Sequence, residues 1–408
     1  MNLGDFVTLQ RGFDLPEAER RSGRIPVVSS SGIFFHHDTI GARGPGVVTG
    51  RYGTIGKVFF INEDYWPLNT TLFVKDFHGN DPLFVSYFLK TIDFSSCSDK
   101  SSVPGVNRND LHSLPIRAPP LPTQHAIARI LGSLDDKIEL NSKINETLEA
   151  MARAIFQSWF VDFDPVRAKA GGRDTGLPPE VAALFPDGFE EVDGREVPRG
   201  WEVGTIGEST AIVGGSTPST TNASFWENGT HPFATPKDLA GLSTPILLDT
   251  EKKITDLGVD KISSRILPLG TILLSSRAPI GYIAITSIPV SINQGFIGII
   301  CDKILPNYYL LSWVGENLPA IIDRANGTTF LEISKSNFKP MEVIIPSTEV
   351  LIKFVQQVGP LYAQIGNSEQ QSRMLAQIRD ALLPKLMSGK ILVSELRSEK
   401  ICLGENPS

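Results

Sequence analysis

The chain has 408 residues, with 38 Lys and Arg against 45 Asp and Glu, for a formal charge of −7. That length predicts two domains with linking segments, each half large enough for its own core. The acidic balance excludes binding to nucleic acid by bulk attraction, so any such binding must rest on a few placed cations. The excess is regional: residues 1–120 carry 12 basic against 12 acidic side chains, residues 201–346 carry 10 against 13, and the stretch 161–200 carries 5 against 9. Cys97, Cys301 and Cys402 are odd in number and far apart, which predicts reduced thiols and no C-x-x-C metal site. The start, MNLGDFVTLQRG, lacks an apolar core behind a basic end and does not read as a signal peptide. The uncharged run Tyr282–Cys301 is broken by Pro289, Asn293 and glycines, so it reads as two strands and a turn. These features predict a soluble, cytoplasmic protein with no membrane partner.

In chain order, residues 1–120 form a first β-rich domain. Short apolar runs at Gly46–Gly50 and Val58–Ile61 lie between Gly, Pro and Asn turns, and a helix is predicted over Pro82–Lys90. A first long helical segment occupies 121–162. Its apolar residues Ile127, Leu131, Leu134, Ile138, Ile144, Leu148, Met151 and Ile155 recur in steps of three and four, the seam of a helix packed on a helix. Asn141 falls on that seam, where a polar residue usually fixes register. Gly132, followed by Ser133 and Asp136 in a capping-box-like arrangement, predicts a break and then a rod to about Phe160, roughly 40 Å long at about 1.5 Å per residue. Residues 163–200 read as a linker with a short helix at Pro179–Leu184. A second β-rich domain spans 201–346, with strands at Thr271–Leu274, Tyr282–Ile288 and Phe296–Ile300 and a helix at Tyr308–Leu318. The second long helix lies within 347–390 and closes at Gly389. A tail, 391–408, is expected to be loose from Ser394.

The rod occurs twice. At an offset of 227, Leu111 meets Phe338, Pro119 meets Pro346 and Gly132 meets Gly359. Phe354, Val358, Leu361, Ile365, Leu375, Ile378 and Leu382 then stand opposite Ile127, Leu131, Leu134, Ile138, Leu148, Met151 and Ile155, with Ser368 opposite Asn141. A period that long reads as duplication of a whole domain with its helix, well beyond solenoid repeats of about 20–50 residues. Pro360 after Gly359 predicts a second break. The expected fold class is α+β: two β-rich domains separated by two long antiparallel helices that form a coiled coil, with a pseudo-two-fold internal repeat. Leu134, Ile138, Leu148, Met151, Ile155, Leu361, Ile365, Leu375, Ile378 and Leu382 are the predicted packing residues, with Ile138, Leu148, Ile365 and Leu375 buried between the rods.

No catalytic constellation is legible. Gly50-Arg51-Tyr52-Gly53-Thr54-Ile55-Gly56-Lys57 has Arg51 where a P-loop needs its first glycine, so its glycines read as a tight strand–turn–strand. Ser276-Arg277-Ala278-Pro279-Ile280-Gly281 is its counterpart. An Arg at such a turn either pairs with an acid or contacts phosphate or guanine. Asn69 and Asn293, each in a neutral stretch, are able to read adenine, but an amide more often satisfies a turn. His36 and His37 beside Asp38 lack a third ligand at metal spacing and read as an exposed polar loop. Glu251-Lys252-Lys253 has no upstream Pro-Asp pair and is no nuclease motif. The Asn-Pro-Pro-aromatic pattern of amino-methyltransferases is absent as well.

The chain resembles the specificity subunits of type I restriction–modification enzymes over nearly its whole length. The likeness is carried by GTIGKVFF with DYWPLNTTLFV, by the helix phrase PPLPTQHAIARILGSLDDKIELNSKINETLEAMARAIFQSWFVDFDP, and by VPRGWEVGTIGE, GGSTPST with FWENGTHPFATPKDL, and LLPKLMSGKI. It departs from the family in lacking a Pro-x-Gly-Trp opening before Leu3-Gly4 and in having Ser347-Thr348-Glu349 where a Glu-Gln pair is common. The resemblance implies a non-catalytic subunit that binds double-stranded DNA, each β-rich domain reading half of a split, asymmetric target. It implies two methyltransferase partners that bring S-adenosylmethionine, and it leaves room for restriction and motor subunits. By position and type, the candidate DNA contacts are Arg51, Tyr52, Lys57, Arg43 and Arg11 in the first domain and Arg277, Asn293, Gln294, Lys237 and Lys335 in the second. The competing class is a scaffold whose β-rich domains bind protein or carbohydrate.

Overall fold

A computed structural model describes residues 1–97, 105–327 and 331–393. It divides into two units, one made of Met1–Ile138 with the chain from Arg373 onward, the other of Glu139–Ser372. The first unit holds β1 (Thr8–Arg11), β2 (Ile25–Ser29), β3 (Gly32–His37), β4 (Gly46–Gly50), β5 (Val58–Ile61), β6 (Trp66–Pro67) and β7 (Thr71–Asp76). They form a four-stranded sheet ordered β1-β7-β4-β5 and a small sheet ordered β3-β2-β6, in which β2 and β6 run parallel. Helix α1 (Pro82–Lys90) begins where the sequence dictates: the Asp81 carboxylate accepts the Phe84 N–H at 2.7 Å and Pro82 takes the first turn. Its Phe84, Val85 and Phe88 join Leu3, Phe6, Leu9 and Leu72 in the core.

Helix α2 (Leu121–Phe156) is one unbroken helix of 36 residues, which corrects the predicted break at Gly132. The glycine is there for packing: a Cβ on it would lie 3.0 Å from Leu83 of α1. The Ser133 hydroxyl donates back to the Ile130 carbonyl at 2.8 Å and caps nothing.

In the second unit, residues 163–200 are more ordered than a linker. They carry a helix at Asp164–Ala170, a turn of helix at Pro179–Ala182 and a hairpin of β8 (Phe189–Val192) with β9 (Arg195–Pro198). Phe163, Val166, Val181, Phe185 and Val197 are buried in the same core as Trp159, Trp201 and Phe354. Strand β10 (Glu202–Thr205) enters the β-rich part and pairs antiparallel with β19 (Glu342–Ile345), which leaves it. Between them, β11 (Ala211–Gly214), β13 (Ile246–Leu247), β15 (Ile272–Ser276), β16 (Ile280–Thr286) and β18 (Phe296–Ile300) form a sheet ordered β11-β18-β15-β16-β13. A small sheet, with β12 (His231–Ala234) between β14 (Lys252–Ile254) and β17 (Ser291–Ile292), again has one antiparallel and one parallel pairing. Helix α3 (Asn307–Glu316) covers the larger sheet, and a separate helix, Leu318–Asp323, follows it.

Helix α4 (Thr348–Met387, 40 residues) is also unbroken, through Pro360, which corrects the second predicted break. Pro360 is exposed, while Val358 and Tyr362 beside it are buried and hold the helix in place at the cost of one backbone bond. Within the first unit, α2 and α4 meet through Ile127, Ala128 and Leu131 against Leu382 and Leu386, and through the ion pair of Asp135 with Arg379. Asp135 also accepts the Tyr87 hydroxyl, and burial together with that bond holds the phenol well above its ordinary pKa. Within the second unit, Ala152 and Phe156 meet Phe354, Val358 and Ile365. In both units the two helices run antiparallel.

Next to these apolar contacts the second unit's seam turns polar. Buried Asn141 donates to the Ser368 carbonyl at 3.3 Å, to Gln371 Oε1 at 2.9 Å and to Ser372 Oγ at 3.1 Å. Asn145 and Ser368 are buried beside it. The observed seam of this unit therefore runs through Asn141, Asn145, Leu148, Ala152 and Phe156, one residue off the predicted Ile144, Met151 and Ile155. Met151 and Ile378 stand 48 % and 43 % exposed, a correction, because Ala152 and Arg379 take the inward places. Ile365 is fully buried, while Leu134, Ile138, Leu148, Ile155, Leu361, Leu375 and Leu382 are half-buried. The tail from Ser394, with Cys402, lies outside the described residues.

Truncating Ile365→Ala should cost about 2–5 kcal/mol, whereas Asn141→Ala should cost about 1–3 kcal/mol by removing a buried amide that makes three hydrogen bonds across the seam. Urea unfolding of the full chain measures both.

Candidate nucleic-acid interface

Each unit presents an arginine at the turn that leaves the middle of its larger sheet. In the first, Gly53 and Gly56 hold φ of +75° and +77°, and a Cβ on Gly50 would strike the Thr54 carbonyl at 1.9 Å, so the glycines are required by the turn itself. The backbone of Arg51 is spent on Thr70 and Val106, leaving the side chain as its free group. Its guanidinium lies 4.6 Å from the centre of the Tyr52 ring, and Lys57 lies 5.3 Å from the centre of the Phe59 ring. The Tyr52 ring fills the space where Gly105 has no side chain. Among the described residues Arg51 shows no carboxylate partner for the acid-pairing reading.

It does apply to Arg277, which sits 3.5 Å from Glu332 across a β-bridge. Lys237 is held by Glu251 at 2.7 Å, an exposed pair in which each charge favours the other's ionised form. Asn293 accepts the Gly295 N–H at 2.9 Å, the turn-satisfying role. Gln294 accepts the Thr217 hydroxyl at 2.6 Å, leaving its amide N–H groups outward. Lys335 is exposed at the start of the Lys335–Phe338 helix. In the first unit, Arg11 pairs with Asp14 at 3.0 Å, Asn69 donates to that same carboxylate, and Arg43 is exposed beside Gly44.

The structure thus brings Arg51, Tyr52 and Lys57 onto one turn and leaves Arg11, Lys237 and Arg277 engaged with acids. His37 departs from the expected exposed loop: it is the last residue of β3, 3 % exposed, its ring packed edge-on against Trp66. Residues 20–35 are not among the predicted contacts, yet Arg20 stacks on Phe34 and Phe35; the run Ile33-Phe34-Phe35 is the sequence signal that points to them. Burial pushes the Cys301 thiol up to about 12, so at neutral pH it is no nucleophile. Among the described residues no group of His, Cys, Asp and Glu side chains is placed to hold a metal ion, and no helix is long and apolar enough to cross a membrane.

The chain belongs to the family described as the type I restriction modification DNA specificity domain, whose model matches residues 1–150 and again 198–365. Among its relatives, the specificity subunit of the type I restriction enzyme HindI of Haemophilus influenzae is 32 % identical over 388 residues, covering 82 % of this chain and 84 % of that protein. The MjaIX specificity subunit of Methanocaldococcus jannaschii is 37 % identical over 192 residues, 47 % of this chain and 44 % of that one. The fold is also that of a solved type I restriction–modification S subunit from M. genitalium, with a TM-score of 0.60 at 16 % identity over 95 % of both chains.

Arg51→Ala should weaken duplex binding about tenfold while leaving the melting temperature unchanged. Arg277→Ala should cost under about 1 kcal/mol of stability, as exposed pairs do. Thermal unfolding and a gel-shift titration, run on both variants, check this.

Proposed function

We propose that this chain reads a bipartite, asymmetric DNA target, one half-site per unit, as the non-catalytic specificity subunit of a restriction–modification complex. The observation that supports this best is the pair of units built on one sheet plan with different side chains at the corresponding turn: an Arg51 stacked on Tyr52 in one, an acid-paired Arg277 in the other. Two like frames with unlike contact residues suit two unlike half-sites. Helix α2, at about 1.5 Å per residue roughly 54 Å long, and α4 serve as the spacer, long enough to suit readers set one turn of duplex apart, about 34–36 Å.

Two methyltransferase subunits dock on the outward faces of these helices. They supply S-adenosylmethionine and extrude the target adenine from the stack, chemistry for which this chain carries no motif. A restriction and motor subunit joins where the system also cuts, and the complex works in the cytoplasm. The family match sets aside the scaffold reading.

With few cations available, the complex should bind duplexes with a shallow but definite salt slope, log affinity falling by about 0.9 per phosphate contact per decade of salt. Filter binding of the assembled complex between about 50 and 200 mM salt measures it. Equal affinity for every duplex and a flat salt response would contradict the DNA reading.

A further inference from the structure

The small sheets carry a second repeated feature, on their outer strands. In the first unit β3 presents Ile33 at 57 % and Phe34 at 60 % exposure. Val27 pairs with Phe35 and Val28 with Ile33, so Phe34 is the extra residue of a β-bulge. A bulge re-aims the side chain it adds. The Arg20 guanidinium sits 5.6 Å from the Phe34 ring and 5.4 Å from the Phe35 ring. In the second unit the corresponding outer strand, β14, carries the exposed Lys252 at 6.0 Å from the Trp226 ring. A cation over an aromatic ring at the outer strand is thus common to both sheets.

Exposed apolar side chains on an outer strand are an aggregation hazard unless something covers them. The surroundings indicate what does. The hairpin tip at Ser30 touches the Arg51 turn, since a Cβ on Gly53 would lie 3.4 Å from Ser30 Oγ. A Cβ on Gly32 would lie 3.4 Å from Phe59, the ring under Lys57. The tip of the hairpin that carries Ile33 and Phe34 therefore abuts the turn that carries Arg51, Tyr52 and Lys57. On its other side are the exposed Arg20 and Arg24; Arg21 is engaged with Asp38 at 3.5 Å, and Glu17 and Glu19 lie on the preceding turn. An apolar centre between cations matches duplex DNA, with bases in the groove and phosphates along its edges.

We propose that the β2–β3 hairpin enters the major groove of the target, with Phe34 and Ile33 in apolar contact with base edges such as thymine methyl groups. Arg20 and the Arg51 turn lie on the flanking phosphates. The groove is about 12 Å wide and admits a two-stranded β-ribbon. The inference rests on the DNA reading above and adds to it a base-reading element in the first unit.

The test selects bound duplexes from a randomised pool, using the full chain assembled with its methyltransferase subunits. Phe34→Ala should weaken binding to the selected duplex about tenfold, leave binding to the unselected pool unchanged, and erase the preference at one base pair. Arg20→Ala should weaken both alike and lower the salt slope by about one. Replacing Phe34 with a photo-crosslinking benzoyl analogue should capture DNA; capture of a methyltransferase subunit instead would overturn the assignment. If the unaltered complex selects no motif, the DNA reading falls and this inference with it. If it selects one that Phe34→Ala and Ile33→Ala both bind as before, only the hairpin assignment falls.

Discussion

Everything in this fold depends on the antiparallel pairing of two long helices, each of which serves both units. Residues up to Ile138 on α2 and from Arg373 on α4 belong to one unit, and the rest of each helix belongs to the other. The first unit is therefore not one continuous stretch of chain, and its core is complete only when the end of α4 has returned to it. The second unit's core in turn draws Ala152 and Phe156 from α2 against Phe354 and Val358 from α4. Apolar contacts secure the pairing in each: Leu131 with Leu386 in the first unit, Phe156 with Phe354 in the second. The polar stretch around Asn141 adds little net stability, since a buried hydrogen-bonded amide roughly offsets its own desolvation. What it adds is register. Sliding either helix by a turn would take the buried Asn141 amide away from Gln371 and Ser372 and leave it without those partners.

Given that frame, the two units keep one plan, although the second adds the strand β13 and the β8–β9 hairpin. The two larger sheets share the neighbours of their central strands, the two small sheets share one parallel and one antiparallel pairing, and each unit carries its arginine at the same turn. Even the glycines kept by the repeat act alike. Gly132 faces Leu83 of α1, and Gly359 faces Tyr308 of α3, so each long helix lies close to its domain's short one. What differs is how each turn's charge is used. A specificity protein needs this combination, a fixed frame with contact residues free to change.

Much of this is legible in the sequence. Gly46–Gly50, Val58–Ile61, Phe296–Ile300 and the helix Pro82–Lys90 emerge with the predicted bounds because turn residues or a cap punctuate them. The duplication and the helix pairing follow from a kept spacing of apolar residues. The failures share a cause: local signals are overruled by distant contacts. Gly132 and Pro360 look like breaks until Leu83 and the packing of Val358 and Tyr362 are known. Residues 163–200 look like a linker by composition, but Phe163 and Phe185 close an aromatic cluster with Trp159 and Trp201. Whether Arg277 is engaged depends on Glu332, far along the chain, and no local pattern reveals that.

The account stands or falls on the helices acting as a spacer, and the most direct measurement is of half-site spacing. One helical turn is inserted into α2 and a matching turn into α4, at facing positions, and the assembled complex is offered duplexes whose two half-sites are set at a series of separations. The account predicts that the preferred separation shifts with the added turn while both half-site sequences stay the same. A preferred separation unmoved by the insertion, in a protein that still folds and binds, would contradict it.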